Sequence, residues 1–179
     1  MLFPLFYELM TFHPVNSAFL IANPEAYPLR LLAEIYCQNR NFDPDRVELE
    51  VFHKWLHNQY FTIPVCVYFV RRPISLDRCK YLFNKFNVLV VSSEHNEPNK
   101  VLFTKRENLQ FRAVHDYHHI IGNSGSDFAG EYASFLTAAN TAPTFIHWIL
   151  FSEIVLQAAV TINTGNFPPQ KIVKFWRVA

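Results

Sequence analysis

The feature that most restricts the fold of this chain is an apolar run at residues 146–162, which reads I-H-W-I-L-F-S-E-I-V-L-Q-A-A-V-T-I. The run is shorter than the roughly 20 apolar residues that cross a bilayer, and it carries His147, Glu153 and Gln157. It therefore predicts the central helix of a helical core, with no membrane span. Glu153 and Gln157 lie four residues apart and share one helix face. Because an unpaired buried carboxylate is costly, Glu153 is expected to meet a partner from a neighbouring histidine helix or a bound cation, unless it faces solvent.

Composition limits the kind of protein. The 179 residues suit one domain, and 50% of them are hydrophobic, 16% aromatic and only 17% charged. This low charge, against about 25% in ordinary globular chains, predicts extensive burial or an aromatic-rich surface for a protein partner or a second copy. The net charge of +1 offers no broad basic surface, so specific nucleic-acid binding is not expected. Cys37, Cys66 and Cys79 lack C-x-x-C spacing and are expected to be buried and reduced in an intracellular protein.

The segment that begins at Thr104 holds the candidate functional groups. Thr104 and Glu107 have the spacing of a capping box, which predicts the start of a helix. On that helix His115 and His119 are at i and i+4, so both imidazoles share a face and can bind one cation. Glu131 follows a glycine-containing turn and can return a carboxylate to the same place. These three residues are the predicted metal ligands.

The same residues admit a second interpretation. Histidines in an apolar frame often serve as hydrogen-bonded structural groups, and Asp116 can simply fix the tautomer of the neighbouring His115. A carboxylate at Glu131 is also favoured by the dipole of the helix that it begins. Asp116 stands where an H-E-x-x-H metalloprotease has its glutamate, so the chain is not predicted to be a zincin.

The remaining pattern predicts an α+β fold, a mainly helical single domain with a small two-strand β-α-β unit and a C-terminal three-helix assembly carrying the cluster. His53 and His57 also stand at i and i+4, but polar neighbours predict a solvated face. Residues 1–24 are predicted to be irregular, 25–103 to form an α/β part and 104–179 a helical part. The predicted helices cover 25–39, 43–60 (opened by Asp43 and Pro44), 75–83, 104–121, 127–139 and 143–162, and the predicted strands cover 63–70, read as buried, and 88–91, parallel to it.

Four motifs carry a resemblance to a known family: F-R-A-V-H-D-Y at 111–117, G-E at 130–131, S-E-x-x-x-Q at 152–157 and G-N-F-P-P-Q-K at 165–171. Together they resemble a family of uncharacterised proteins encoded by tailed bacteriophages, over about residues 46–175. The resemblance implies a phage origin, and so a place in the host cytoplasm or the virion, without implying a reaction. It draws attention to five residues: His115, Asp116, Glu131, Glu153 and Gln157.

The chain also departs from that family. Its members usually have a glycine before the second histidine, whereas this chain has His118 and His119, so either can match the family histidine. Leu156 replaces the glycine of the later G-Q pair. The D-P-Y-P that often follows the first core strand is R-R-P-I at 71–74, which reverses the charge of that loop.

Two hypotheses follow from these residues. In the first, His115, His119 and Glu131 hold a divalent metal such as Zn²⁺ for hydrolysis, and Asp116 or Glu153 orients a ligand or acts as the base. In the second, the same side chains form a closed polar network in a non-catalytic phage structural or host-interaction protein. No cofactor other than the metal is predicted, because the chain has no glycine-rich phosphate loop.

Overall fold

The predicted α+β class, dominated by helices, is confirmed by the computed structural model, which describes residues 17–94, 96 and 102–174. A short 3-10 turn at Pro24–Ala26 separates the first two helices. The helices are α1 Ser17–Ala22, α2 Leu29–Gln38, α3 Arg46–Thr62, α4 Leu76–Phe86, α5 Lys105–Ile121, α6 Phe128–Ala139 and α7 Thr144–Thr164, and the strands are β1 Cys66–Val70 and β2 Val88–Ser92. Part of the predicted irregular segment 1–24 is thus α1, and residues 1–16 of it lie outside the described residues.

The two strands and α4 form the predicted β-α-β unit. The strands β1 and β2 pair in parallel, with Cys66 opposite Val88. Leu89 on β2 is fully buried, because β2 packs against both α4 and α5. The prediction of a buried first strand is wrong: β1 begins only at Cys66, and Tyr68 and Phe69 on it are exposed, since in the described part of the chain β1 pairs with β2 alone.

Capping boxes begin α3 and α5, which have 17 residues each. For α5 the predicted pair is confirmed: Thr104 Oγ1 accepts from the Glu107 N–H at 3.2 Å, and Glu107 Oε2 accepts from the Thr104 N–H at 2.8 Å. For α3 the predicted start at Asp43 and Pro44 is wrong, because Asp45 is the residue that forms the reciprocal box with Glu48. The helix consequently begins at Arg46.

Helix α7 is the core helix that the apolar run predicts. Its mean hydropathy of 1.7 and its length of 21 residues would suit a membrane span, but 72% of its most apolar stretch is buried within the fold. Helices α2 and α6 pack against it. Its middle turn, Ser152–Leu156, is a π-helix, a widening of the helix that often marks functional positions. Glu153 lies in this turn.

The segment after α7 returns into the core. Gly165 ends the helix with a left-handed backbone, at φ 73°. Ile172 and Val173 are fully buried although they belong to no helix or strand, and the Val173 N–H donates to Ser152 Oγ at 2.8 Å. The tail is therefore part of the core, and its last residues, 175–179, lie outside the described residues.

The prediction of three buried cysteines is wrong for two of them. Cys37 and Cys66 are exposed, and Cys79 alone is buried. Burial raises the pKa of the Cys79 thiol to about 12, with a smaller contribution from Asp116. A thiol with so high a pKa is a poor nucleophile.

Candidate functional site

Helix α5 brings two imidazole rings together. His115 and His119 are one turn apart, their ring centroids are 4.5 Å apart, and their planes are nearly perpendicular at 89°. The two Nε2 atoms are 3.2 Å apart. His119 is buried, whereas the His115 side chain keeps 22% of its surface exposed. Of the two rings, the His115 ring is thus the one that is open to solvent.

Helix α6 supplies the carboxylate. Asp127 caps α6 by accepting from the Gly130 N–H at 2.9 Å, which places Glu131 in the first turn. Gly130 packs so closely on the backbone of Gly125 that a Cβ there would overlap the Gly125 carbonyl group. This contact closes the turn after α5 and directs Glu131 back toward the histidines.

The predicted convergence of the three side chains is confirmed. Glu131 Oε2 lies 3.0 Å from His115 Nε2 and 3.4 Å from His119 Nε2. A tetrahedral cation with bonds of 2.0–2.2 Å would hold its ligand atoms roughly 3.3–3.6 Å apart, so small movements would admit one. His115, His119 and Glu131 form a group that could hold a metal ion.

His115 and Glu131 shift each other's pKa when no metal is bound. Burial opposes a charged His115, but the Glu131 carboxylate, helped by Asp116, outweighs it and raises the pKa of His115 to about 10. Burial likewise opposes a charged Glu131, yet His115 and then His119 lower the pKa of Glu131 to about 2. The metal-free cluster is therefore an imidazolium–carboxylate ion pair at neutral pH.

Ser124 supports the buried histidine from behind. Its Oγ lies 2.9 Å from His119 Nδ1, and the Ser124 carbonyl accepts from Lys80 Nζ at 2.7 Å. A hydrogen bond from Nδ1–H to Ser124 Oγ leaves Nε2 as the nitrogen that would bind a cation shared with His115 and Glu131, as in metal-bound histidines. Sequence reasoning missed Ser124, and its place in the turn after α5 was the only available signal.

His118 lies outside the cluster. Its Nε2 is 3.3 Å from Gln59 Oε1 on α3, and burial, followed by the charges of His115 and His119, lowers the pKa of His118 to about 4. A neutral His118 buried between helices has a packing role. Of the adjacent pair, His119 is thus the one that joins the group.

Asp116 stands beside the cluster rather than in it. Its Oδ1 is 3.8 Å from His115 Nδ1, which is too long for a hydrogen bond. Asp116 therefore acts on the His115 ring through its charge. Both side chains line the cleft next to the cluster.

A cleft of about 360 Å³ connects the cluster with Glu153 on α7. Its lining comes from α5 and α6, with His115 and Glu131, and from α7 and the tail, with Glu153. The other lining residues that bear on the site are Asn108, Arg112, Gln157, Thr161, Phe167 and Gln170. The space is within the usual size range of small-molecule sites.

Glu153 lines the same cleft from α7 and is buried, with 4% of its surface exposed. The expectation that its partner comes from the histidine helix is wrong: Glu153 Oε2 accepts from Gln170 Nε2 at 2.6 Å, and Gln170 in turn reaches Asn108 on α5 at 3.4 Å. Burial raises the pKa of Glu153 to about 8. Glu153 does not belong to the group of possible metal ligands. Gln157 instead donates to the Tyr36 hydroxyl at 3.4 Å.

The case for a functional site rests on the geometry of the cluster and the cleft. Comparison with protein-family models, curated proteins and solved structures finds no match.

Proposed function

We propose that His115, His119 and Glu131 bind a divalent cation, Zn²⁺ by preference, in a metal-dependent hydrolase encoded by a phage. One observation carries the proposal: two imidazole nitrogens and a carboxylate oxygen converge at the wall of a cleft large enough for a substrate. Mixed nitrogen and oxygen ligands of this kind suit Zn²⁺. The phage origin rests on the sequence motifs, which also favour the host cytoplasm or the virion as its location.

The chemistry follows from the number of ligands. Three protein ligands leave a fourth position of a tetrahedral cation for water, and a bound cation lowers the pKa of that water toward about 7. The His115 side chain is partly exposed and lines the cleft, so a cation held by it would be accessible to a substrate. Asp116 would steady the His115 ring by its charge, as carboxylates beside metal-bound histidines do. Glu153 on α7 lines the same cleft.

Elemental analysis of the purified protein tests the metal site. We expect one equivalent of metal in the wild-type protein after dialysis against Zn²⁺, and none in His115→Ala, because two remaining ligands hold a cation weakly. The matched control is the double variant His53→Ala, His57→Ala, which removes another i, i+4 pair and should keep the full equivalent. Metal absent from the wild type, or retained by His115→Ala, contradicts the proposal.

A second function is favoured by the same distances. Separations of 3.0 and 3.2 Å also suit hydrogen bonds, so the cluster can be a closed ion-pair network in a phage structural or host-interaction protein. Exposed aromatic side chains offer a surface for a protein partner or a second copy; they include Phe61, Tyr68, Tyr81 and Phe86. In that case Zn²⁺ should leave the melting temperature unchanged, whereas a specific site raises it as the Zn²⁺ concentration exceeds the Kd.

A further inference from the structure

The Glu153 end of the cleft has a hydrogen-bonding atom that the fold does not use. Glu153 Oε2 accepts from Gln170 Nε2, but Oε1 is buried and has no hydrogen-bond partner among the described residues. Buried polar atoms are nearly always paired, so an orphan atom in a carboxyl group that lines a cleft indicates a missing ligand.

The hydrogen bond from Gln170 determines where the proton of this carboxyl lies. An amide N–H donates, so Oε2 is the accepting oxygen, and because the carbonyl oxygen of a carboxylic acid is its better acceptor, this contact favours the proton of the neutral acid on Oε1. The pKa of Glu153 is raised by burial to about 8, which keeps the acid neutral at pH 7. Oε1 is thus an O–H donor without an acceptor.

The surroundings of Oε1 specify the group that it can meet. The other lining residues on α7 and the tail are uncharged: Ile154, Gln157, Ala158, Thr161, Phe167 and Gln170. The charged lining residues other than Glu153 stand on α5 and α6. The titratable group that faces Glu153 from α2 is Tyr36, whose pKa is raised first by burial and then by Glu153, so it stays neutral. An uncharged group with an acceptor oxygen fits this end better than a phosphate does.

We propose that Glu153 is the general acid of the hydrolase and donates the Oε1 proton to the leaving oxygen of a neutral ester substrate. This inference rests on the proposed function. A cation held by His115, His119 and Glu131 would supply the attacking water. As the bond from the ester carbonyl carbon to the leaving oxygen breaks, the leaving oxygen takes the Oε1 proton. The attacking water gives up one proton, which restores Glu153, and the products are a carboxylic acid and an alcohol.

Two esters with the same acyl group and different leaving groups test the role of the proton. Zn²⁺-loaded wild type and Glu153→Gln are compared on phenyl acetate and p-nitrophenyl acetate. We expect a loss of roughly 10²–10⁴-fold on phenyl acetate and a much smaller loss on p-nitrophenyl acetate, because nitrophenolate leaves without a proton. The control is His57→Ala, on the exposed side of α3, which should leave both rates unchanged. Equal losses on the two esters overturn the inference.

Infrared spectroscopy measures the proton directly and needs no activity. The Zn²⁺-loaded wild type should show a carboxylic-acid band at pH 6 that disappears as the pH rises past about 8 and that Glu153→Gln lacks. The pH dependence in the wild type keeps this test valid even if the variant folds poorly. Stoichiometric metal without the band refutes the inference alone, and a band without metal refutes the proposed function.

Discussion

Two histidine pairs in this molecule begin from the same local pattern and reach different ends. His53 and His57 on α3, like His115 and His119 on α5, stand four residues apart on a 17-residue helix that a capping box begins. The pair on α5 meets a carboxylate and a cleft. On α3, His53 lies close enough to Glu107 to help lower the pKa of that carboxylate, but no group of possible metal ligands among the described residues includes His53 or His57.

The partners of the α3 pair explain the difference. His53 Nε2 lies 2.7 Å from the Leu102 carbonyl, and the His57 ring packs against Phe61 with centroids 4.5 Å apart. The predicted solvated face is thus confirmed for His57, which is exposed, and wrong for His53, which is half-buried. Helical spacing puts two imidazoles on one face, but a third ligand has to come from another element.

The contact between Gly130 and Gly125, which positions Glu131, gives the prediction with the largest expected effect on stability and metal content. In Gly130→Ala the new Cβ would overlap the Gly125 carbonyl group, so the turn must open and Glu131 must move. We expect a loss of stability of about 1–3 kcal/mol, typical of overpacking, together with loss of stoichiometric metal. Urea denaturation and elemental analysis measure both.

The control for this variant is Gly122→Ala. Gly122 has an ordinary φ of −80°, and its new Cβ would meet the His118 carbonyl oxygen at 3.1 Å, a tight contact that a shift of a few tenths of an ångström relieves. Only a small change in stability and full metal content are expected. Normal metal binding by Gly130→Ala would mean that this glycine does not position Glu131.

The charge of Glu131 gives the second prediction, on the metal-free protein. His115 has a raised pKa, so its stabilisation is full below 6.5 and is lost as the pH rises through about 10. Glu131 has a lowered pKa, so its stabilisation is full above 4.5 and is lost as the pH falls through about 2. In Glu131→Gln the pKa of His115 should fall well below 10, because burial is then opposed by Asp116 alone, and NMR titration of the ring would show the fall.

Glu34→Gln is the matched control for the loss of a carboxylate. Glu34 forms an exposed i, i+4 ion pair with Arg30 on α2, far along the chain from the cluster. It should leave the His115 titration unchanged. A His115 that still titrates near pH 10 in Glu131→Gln would show that Glu131 is not its charge partner.

What the sequence could predict depends on the range of the interactions involved. The capping box at Thr104, the spacing of His115 and His119 and the turn before Glu131 are local, so the helices and the ligand group follow from the pattern. The exposure of β1 depends on which elements cover it. The partner of Glu153 depends on Gln170, which reaches the core only because the tail folds back, and short-range patterns carry no information on such contacts.

The support behind His119 gives the third prediction. Ser124→Ala removes the acceptor of the His119 Nδ1 hydrogen bond without touching a metal ligand. Loss of such an outer partner typically costs 10–100-fold in metal affinity, and we expect a Zn²⁺ Kd raised by that factor in competition with a chelator. Ser126→Ala, in the same turn and on the cleft wall, is the control and should bind as the wild type does. Equal effects from both serines would rule out a specific role for Ser124.

The smallest expected effect concerns His53 and His57 on α3, and it tests whether this pair is independent of the cluster on α5. His53→Ala removes the donor to the Leu102 carbonyl, and Leu102 is fully buried, so the carbonyl loses its partner. The cost should be about 1 kcal/mol in the free energy of unfolding, with metal content unchanged. His57→Ala, at an exposed position, should stay within about 0.5 kcal/mol of the wild type. If His53→Ala instead lowered the metal content, the two pairs would be coupled, and the α5 cluster could no longer be regarded as complete in itself.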